Sequence, residues 1–87
     1  MWRVDTKKKA TKNIGKLPAH VQELFLQLLH DLAYEGPVQT SWQNYSMLGK
    51  EKYHCHLTRR YVACWTNTNG TIEIEVYYVG SRENAPY

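Results

Sequence analysis

Long apolar runs are missing from this chain. No stretch approaches the roughly 18 apolar residues of a membrane helix, and Met1–Thr6 lacks the apolar core of a secretory signal. A cytoplasmic address with no membrane partner is therefore expected. Cysteine is scarce: Cys55 and Cys64 are the only two. That excludes a disulfide-rich scaffold and, without an export signal, leaves two free thiols as the expectation. No tract is polar enough for disorder, and no segment repeats. A chain of 87 residues hides only about 60–65% of its unfolded surface, which allows one modest core and one domain, residues 1–87.

Charge is small in sum, +3, but it is clustered. Lys7, Lys8, Lys9, Lys12 and Lys16 crowd one early segment, and Arg59, Arg60 and Arg82 lie late in the chain. Such clusters suit a polyanion or an acidic protein, although lysines alone also suit a solvated helix face.

Periodicity supplies the architecture. Trp2, Val4 and Thr6 alternate with Arg3 and Asp5, which predicts an opening strand. Ala10, Ile14 and Leu17 make a narrow helical stripe that ends at Gly15 and Leu17-Pro18. Val21, Leu24, Phe25, Leu28, Leu29 and Leu32 predict a second helix, started by Pro18 and stopped by Gly36-Pro37. Residues 38–52 read as irregular, anchored by Trp42, Tyr45, Met47 and Leu48. Three strands follow at Tyr53–Leu57, Tyr61–Trp65 and Thr71–Val79, the last with Ile72, Ile74 and Val76 on one face and Glu73, Glu75 and Tyr77 on the other. Asn69-Gly70 marks a hairpin. The expected class is α+β: an N-terminal strand, an antiparallel helical hairpin, then a three-stranded antiparallel meander, with the helices on one sheet face.

Candidate chemistry sits on that meander. Residues two apart on a strand point the same way, so His54 and His56 project together, opposite Tyr53, Cys55 and Leu57. With the apolar set under the helices, both imidazoles stand on the open face. Histidine exchanges protons near neutrality. A solvated polar face is the plain alternative. The pair could also supply two metal ligands, but no third is evident, so no metal or other cofactor is expected. Arg82, just past the last strand, is placed to clamp a phosphate, and Tyr87 to stack on a base or offer its phenol; a frayed tail is the alternative there.

The runs Tyr53-His54-Cys55-His56-Leu57, Tyr61-Val62-Ala63-Cys64-Trp65, Val76-Tyr77-Tyr78-Val79-Gly80-Ser81-Arg82-Glu83 and Ala85-Pro86-Tyr87 resemble the RelE/ParE toxin superfamily, most of all its small RelE-type branch. Glu35-Gly36-Pro37-Val38 and Trp42-Gln43-Asn44-Tyr45-Ser46 are similar to that branch as well. The resemblance implies a toxin of a type II toxin–antitoxin system with a cognate antitoxin as partner. It further implies metal-independent cleavage of mRNA at the ribosome on the open sheet face. His54 and His56 fall where that family often has two lysines, and Arg82 and Tyr87 on its late arginine and tyrosine. Val62 stands where RelE toxins often have arginine, leaving Arg59 or Arg60 to substitute. The expected reaction is attack by the RNA 2′-hydroxyl on the adjacent phosphorus, with either histidine as base and the other, or Tyr87, as acid. Lys8, Lys9, Lys12, Lys16, Arg59 and Arg60 are the expected RNA-binding residues. Three alternatives remain: a ParE-type inhibitor of DNA gyrase, a non-catalytic RNA-binding or adaptor module, and a zinc-dependent enzyme.

Overall fold

Val21, Phe25, Leu28 and Leu32 recur every three or four residues and are all buried, so their stripe makes one long helix the low-energy state of this segment. The computed structural model, which describes residues 1–87, places that helix between short strands. In chain order the elements are β1 (Arg3–Thr6), α1 (Lys8–Ile14), α2 (Ala19–Glu35), β2 (Ser46–Gly49), β3 (Lys52–His56), β4 (Tyr61–Asn67) and β5 (Glu73–Ser81), followed by a 3-10 turn at Arg82–Asn84. Pro18 is the N-cap of α2, one position before the first helical turn expected for it.

The strands form one sheet in the order β1-β5-β4-β3-β2, with β1 parallel to β5 and every other pair antiparallel. The α+β class and the single helix-covered face are as expected. Residues 38–52 are not. Ser46–Gly49 forms a fifth strand on the edge of β3, which extends the meander to four strands. Its signal is weak because it spans four residues and its register slips between Met47 and Gly49. Met47, expected as an anchor, is exposed, whereas Trp42 and Tyr45 do pack against the core.

The core lies between the helices and one sheet face. Trp65 is its centre: it stacks on Tyr53 at 6.1 Å and Tyr45 at 6.4 Å, and its indole N–H donates to the Pro37 carbonyl at 3.1 Å. The Gln39 amide donates to the Gly36 and Asp31 carbonyls at 2.8 and 3.2 Å, and the Trp42 indole donates to Asp31 Oδ2 at 2.9 Å. These bonds tie the loop after α2 down. Along β5 the alternation breaks. Cys64 pairs with Tyr78 but Trp65 with Val76, so Tyr77 is an extra residue and the buried set runs Ile74, Val76, Val79. Ile72, expected inward beside Ile74, precedes the strand and is exposed. Gly70 takes a φ of 84° in the β4–β5 turn, as its asparagine-glycine pair predicts.

Gly36 closes α2 at φ 90° and ψ −168°, a conformation confined to glycine. A methyl group there would fall 2.6 Å from the Trp2 ring. Gly36→Ala is therefore expected to lower the unfolding free energy by about 1–3 kcal/mol from backbone strain alone. Urea denaturation measures it; an unchanged midpoint would show that the turn relaxes without cost.

Candidate active site on the helix-free sheet face

β3 pairs with β4 so that His54 opposes Cys64 and His56 opposes Val62, while Cys55 opposes Ala63 and Tyr53 opposes Trp65. Tyr53, Cys55, Ala63 and Trp65 belong to the core under the helices. The pleat therefore turns His54, His56, Val62 and Cys64 to the other face. The imidazoles are neighbours, with ring centroids 5.6 Å apart, and the Tyr87 ring stands 4.8 Å from His54. The expectation of freely standing imidazoles needs correction, because His54 is only 8% and His56 only 7% exposed. No helix covers them. Strands lie on both sides of β3, and the chain after β5 brings Tyr87 against His54.

The two histidines differ in their bonds. His54 Nδ1 lies 3.0 Å from Ser46 Oγ on the neighbouring edge strand. His56 Nδ1 is buried and has no hydrogen-bond partner, although the His56 backbone N–H donates to the Gln43 carbonyl at 2.8 Å. Burial, then the adjacent His54 and the Arg82 guanidinium, hold the His56 pKa below the ordinary histidine value. Burial also pushes up the Tyr87 phenol, with Cys64 adding to the rise and Arg82 opposing it. Tyr77 is pushed up to about 12 by burial and by Cys64, with which it shares a hydrogen bond. Cys64 itself is raised to about 11, chiefly by burial. The phenols and the thiol are thus neutral near pH 7. Cys55 is buried, free and raised to about 12; it faces the core, on the other side of the sheet from Cys64.

Arg82 follows β5, and its backbone N–H donates to the Arg60 carbonyl at 2.7 Å, which fixes the β3–β4 turn beside the strand end. Arg60, Tyr61, Ser81, Arg82 and Glu83 line a cleft of about 440 Å³. Neither arginine has a carboxylate within 4.0 Å. Arg59 is exposed in the same turn and does not line the cleft. The lysines stand elsewhere. Lys9, Lys12 and Lys16 line a groove of about 490 Å³ with Asn13, Tyr78, Asn84 and Pro86, Lys8 is exposed on α1, and Lys7 pairs with Glu75 at 3.9 Å. The structure thus brings His54, His56, Arg82 and Tyr87 together with Arg60 beside them, while Lys9, Lys12 and Lys16 line a different groove. No three His, Cys, Asp or Glu side chains are grouped to hold a metal ion.

Two residues of this face are not among the expected site residues. Ser46 is hidden because its strand is not recognisable. Lys52 is readable, since it lies two residues before His54 and so shares its face; it borders a small cleft with Lys7, Thr66, Glu75 and Tyr77.

No protein-family model matches this chain, and no curated protein matches it in sequence. Solved structures do match in fold. The archaeal RelE–RelB complex from Pyrococcus horikoshii OT3 superposes with a TM-score of 0.76 at 20% identity, covering 97% of this chain and 98% of that one. The isolated Escherichia coli RelE toxin gives 0.76 at 18% identity, covering 99% and 89%. A YoeB–YefM complex from Staphylococcus aureus gives 0.70 at 9% identity, covering 91% and 94%. The chain has the RelE fold over nearly its whole length.

The unequal environments predict a pH effect. His56 holds its lowered pKa only when folded, so below about 6.5 the unfolded chain binds the extra proton first. Stability is complete above that value and falls as pH drops through the folded pKa. An NMR titration is expected to show His56 below 6.5 and Arg82→Met moving it part of the way back, with the effect of burial remaining. An unmoved His56 in that variant would disconnect the two groups.

Proposed function

We propose that this protein is the toxin of a type II toxin–antitoxin pair and cleaves ribosome-bound mRNA without a metal ion. One observation carries the proposal: two imidazoles 5.6 Å apart share a helix-free sheet face with Arg82 and Tyr87. RNA brings its own nucleophile, so the protein need only align the backbone, move two protons and stabilise charge.

In the proposed reaction the 2′-oxygen bonds to the adjacent phosphorus and the bond from phosphorus to O5′ breaks. The products are a 2′,3′-cyclic phosphate and a 5′-hydroxyl. One imidazole takes the 2′-hydroxyl proton. Tyr87, whose raised pKa keeps the phenol protonated, supplies a proton to O5′. Arg82, with Arg60 across the cleft, stabilises the charge that gathers on the phosphoryl oxygens. Lys8, Lys9 and Lys12 on α1, Lys16 just past its end and Arg59 add attraction to RNA outside the reacting centre. Such a substrate is met in the cytoplasm, and residues 1–87 carry the activity as one domain.

The partner is a cognate antitoxin. The Pyrococcus and Staphylococcus structures are themselves complexes, with RelB and YefM. The arginines without carboxylate neighbours favour acidic residues on the partner's contact surface.

Purified protein added to translating ribosomes with a defined mRNA tests the reading. Cuts that leave a 5′-hydroxyl and persist in chelator are expected. Replacing both histidines by glutamine, which preserves volume, is expected to lower the cleavage rate by about 100- to 10,000-fold. Intact mRNA together with gyrase-dependent DNA breaks would instead make this a ParE-type toxin. Unchanged growth arrest by the double variant would make it a non-catalytic binder.

A further inference from the structure

The edge strand β2 contributes a single polar side chain contact to the imidazole pair. Ser46 opposes His54 across the β2–β3 ladder, and its hydroxyl oxygen lies 3.0 Å from His54 Nδ1. His56, one step along the same face, has nothing at Nδ1 although that atom is buried. We propose that Ser46 is a positioning residue that holds His54 with its proton on Nδ1, making His54 Nε2 the proton acceptor of this site.

This inference rests on the nuclease reading and assigns the roles within it. A hydroxyl can donate or accept. In the cation both ring nitrogens carry protons, so Ser46 Oγ must then accept from Nδ1. Only if Nδ1 also donates in the neutral ring does the bond persist unchanged while Nε2 takes up a proton. Ser46 is exposed, so water satisfies its own O–H and leaves the oxygen free to accept. His56 lacks this arrangement. A proton on each of its nitrogens would strand a buried N–H donor, a costly state that opposes proton uptake. The neighbouring Arg82 and His54 oppose it further. His56 therefore remains neutral beside the phosphate while His54 cycles. The pair is a division of labour, fixed by which imidazole touches β2.

The test uses the full chain and has two readouts. Two-bond 15N–1H correlation spectra identify the protonated nitrogen of each neutral imidazole. Wild type is expected to show His54 protonated at Nδ1, with Ser46→Ala moving the population toward Nε2 and Ser46→Thr restoring Nδ1. On ribosome-bound mRNA, Ser46→Ala is expected to lower kcat by about 10- to 100-fold with KM nearly unchanged, an effect of misorientation, and Ser46→Thr to recover the rate. Exposure of Ser46 on an edge strand makes its alanine variant compatible with folding. His54 protonated at Nε2 in wild type, or a tautomer indifferent to Ser46→Ala, overturns the proposal. Wild type that keeps the Nδ1 tautomer but cuts no RNA overturns the nuclease reading and leaves the positioning by Ser46 standing.

Discussion

The register of β3 against β4 governs both halves of this molecule. Cys55 opposite Ala63 and Tyr53 opposite Trp65 supply the sheet side of the core, and the same pairing sets His54 against Cys64 on the opposite face. A slip of one residue would carry the histidines under α2 and expose the aromatic layer. Trp65 resists that slip twice, through its stack with Tyr53 and through its bond to the Pro37 carbonyl. Core and candidate site are therefore not separate designs. The packing that stabilises the fold also holds the imidazoles in place.

Charge is sorted along the helix-free face. Asp5, Glu73 and Glu75 cluster near β1 and β5, where Arg3 and Lys7 partner the two glutamates. Around His54 and His56 the neighbours are a thiol and phenols pushed toward their neutral forms by burial, and the Arg82 guanidinium acts on His56. Glu83, exposed at the rim, is the one carboxylate side chain lining the Arg60–Arg82 cleft. Burial of the imidazoles would strengthen each interaction with an anion bound there.

Elements whose physics is local were readable before the fold was known. The α2 stripe, the His-x-His alternation and the asparagine-glycine turn each specify themselves within a few residues. β2 does not. Its four residues include a register slip, and Asn44 and Glu51 flank it at positive φ, so only pairing with β3 makes it a strand. The extra residue at Tyr77 likewise depends on the partner strand, and it defeats simple alternation beyond Val76. Placing the histidines on the face opposite Tyr53 needed only the pleat. Their enclosure depends on Tyr87, thirty-odd positions later in the chain, and on a strand that local pattern does not reveal. Helical spacing grouped the lysines, but it does not say that Lys9 and Lys12 of α1, with Lys16 beyond it, would line a groove with Tyr78 and Pro86.

The resemblance to RelE toxins implies lysines where this chain has histidines, and on the proposed reading that difference changes which force acts on a phosphate. An ammonium carries full charge at neutral pH and attracts a phosphate whether or not a proton moves. His56, held neutral by burial and by Arg82, contributes no such charge. Two unit charges 4 Å apart attract by about 4 kcal/mol at an effective dielectric of 20, so a neutral His56 in place of a lysine gives up standing attraction of that order. On the proposed reading, proton transfer must replace it. A proton acceptor is effective only when its lone pair is aimed at the substrate and its far nitrogen is satisfied. That requirement explains why the histidine with a hydroxyl at Nδ1, and not its unpartnered neighbour, is suited to the work.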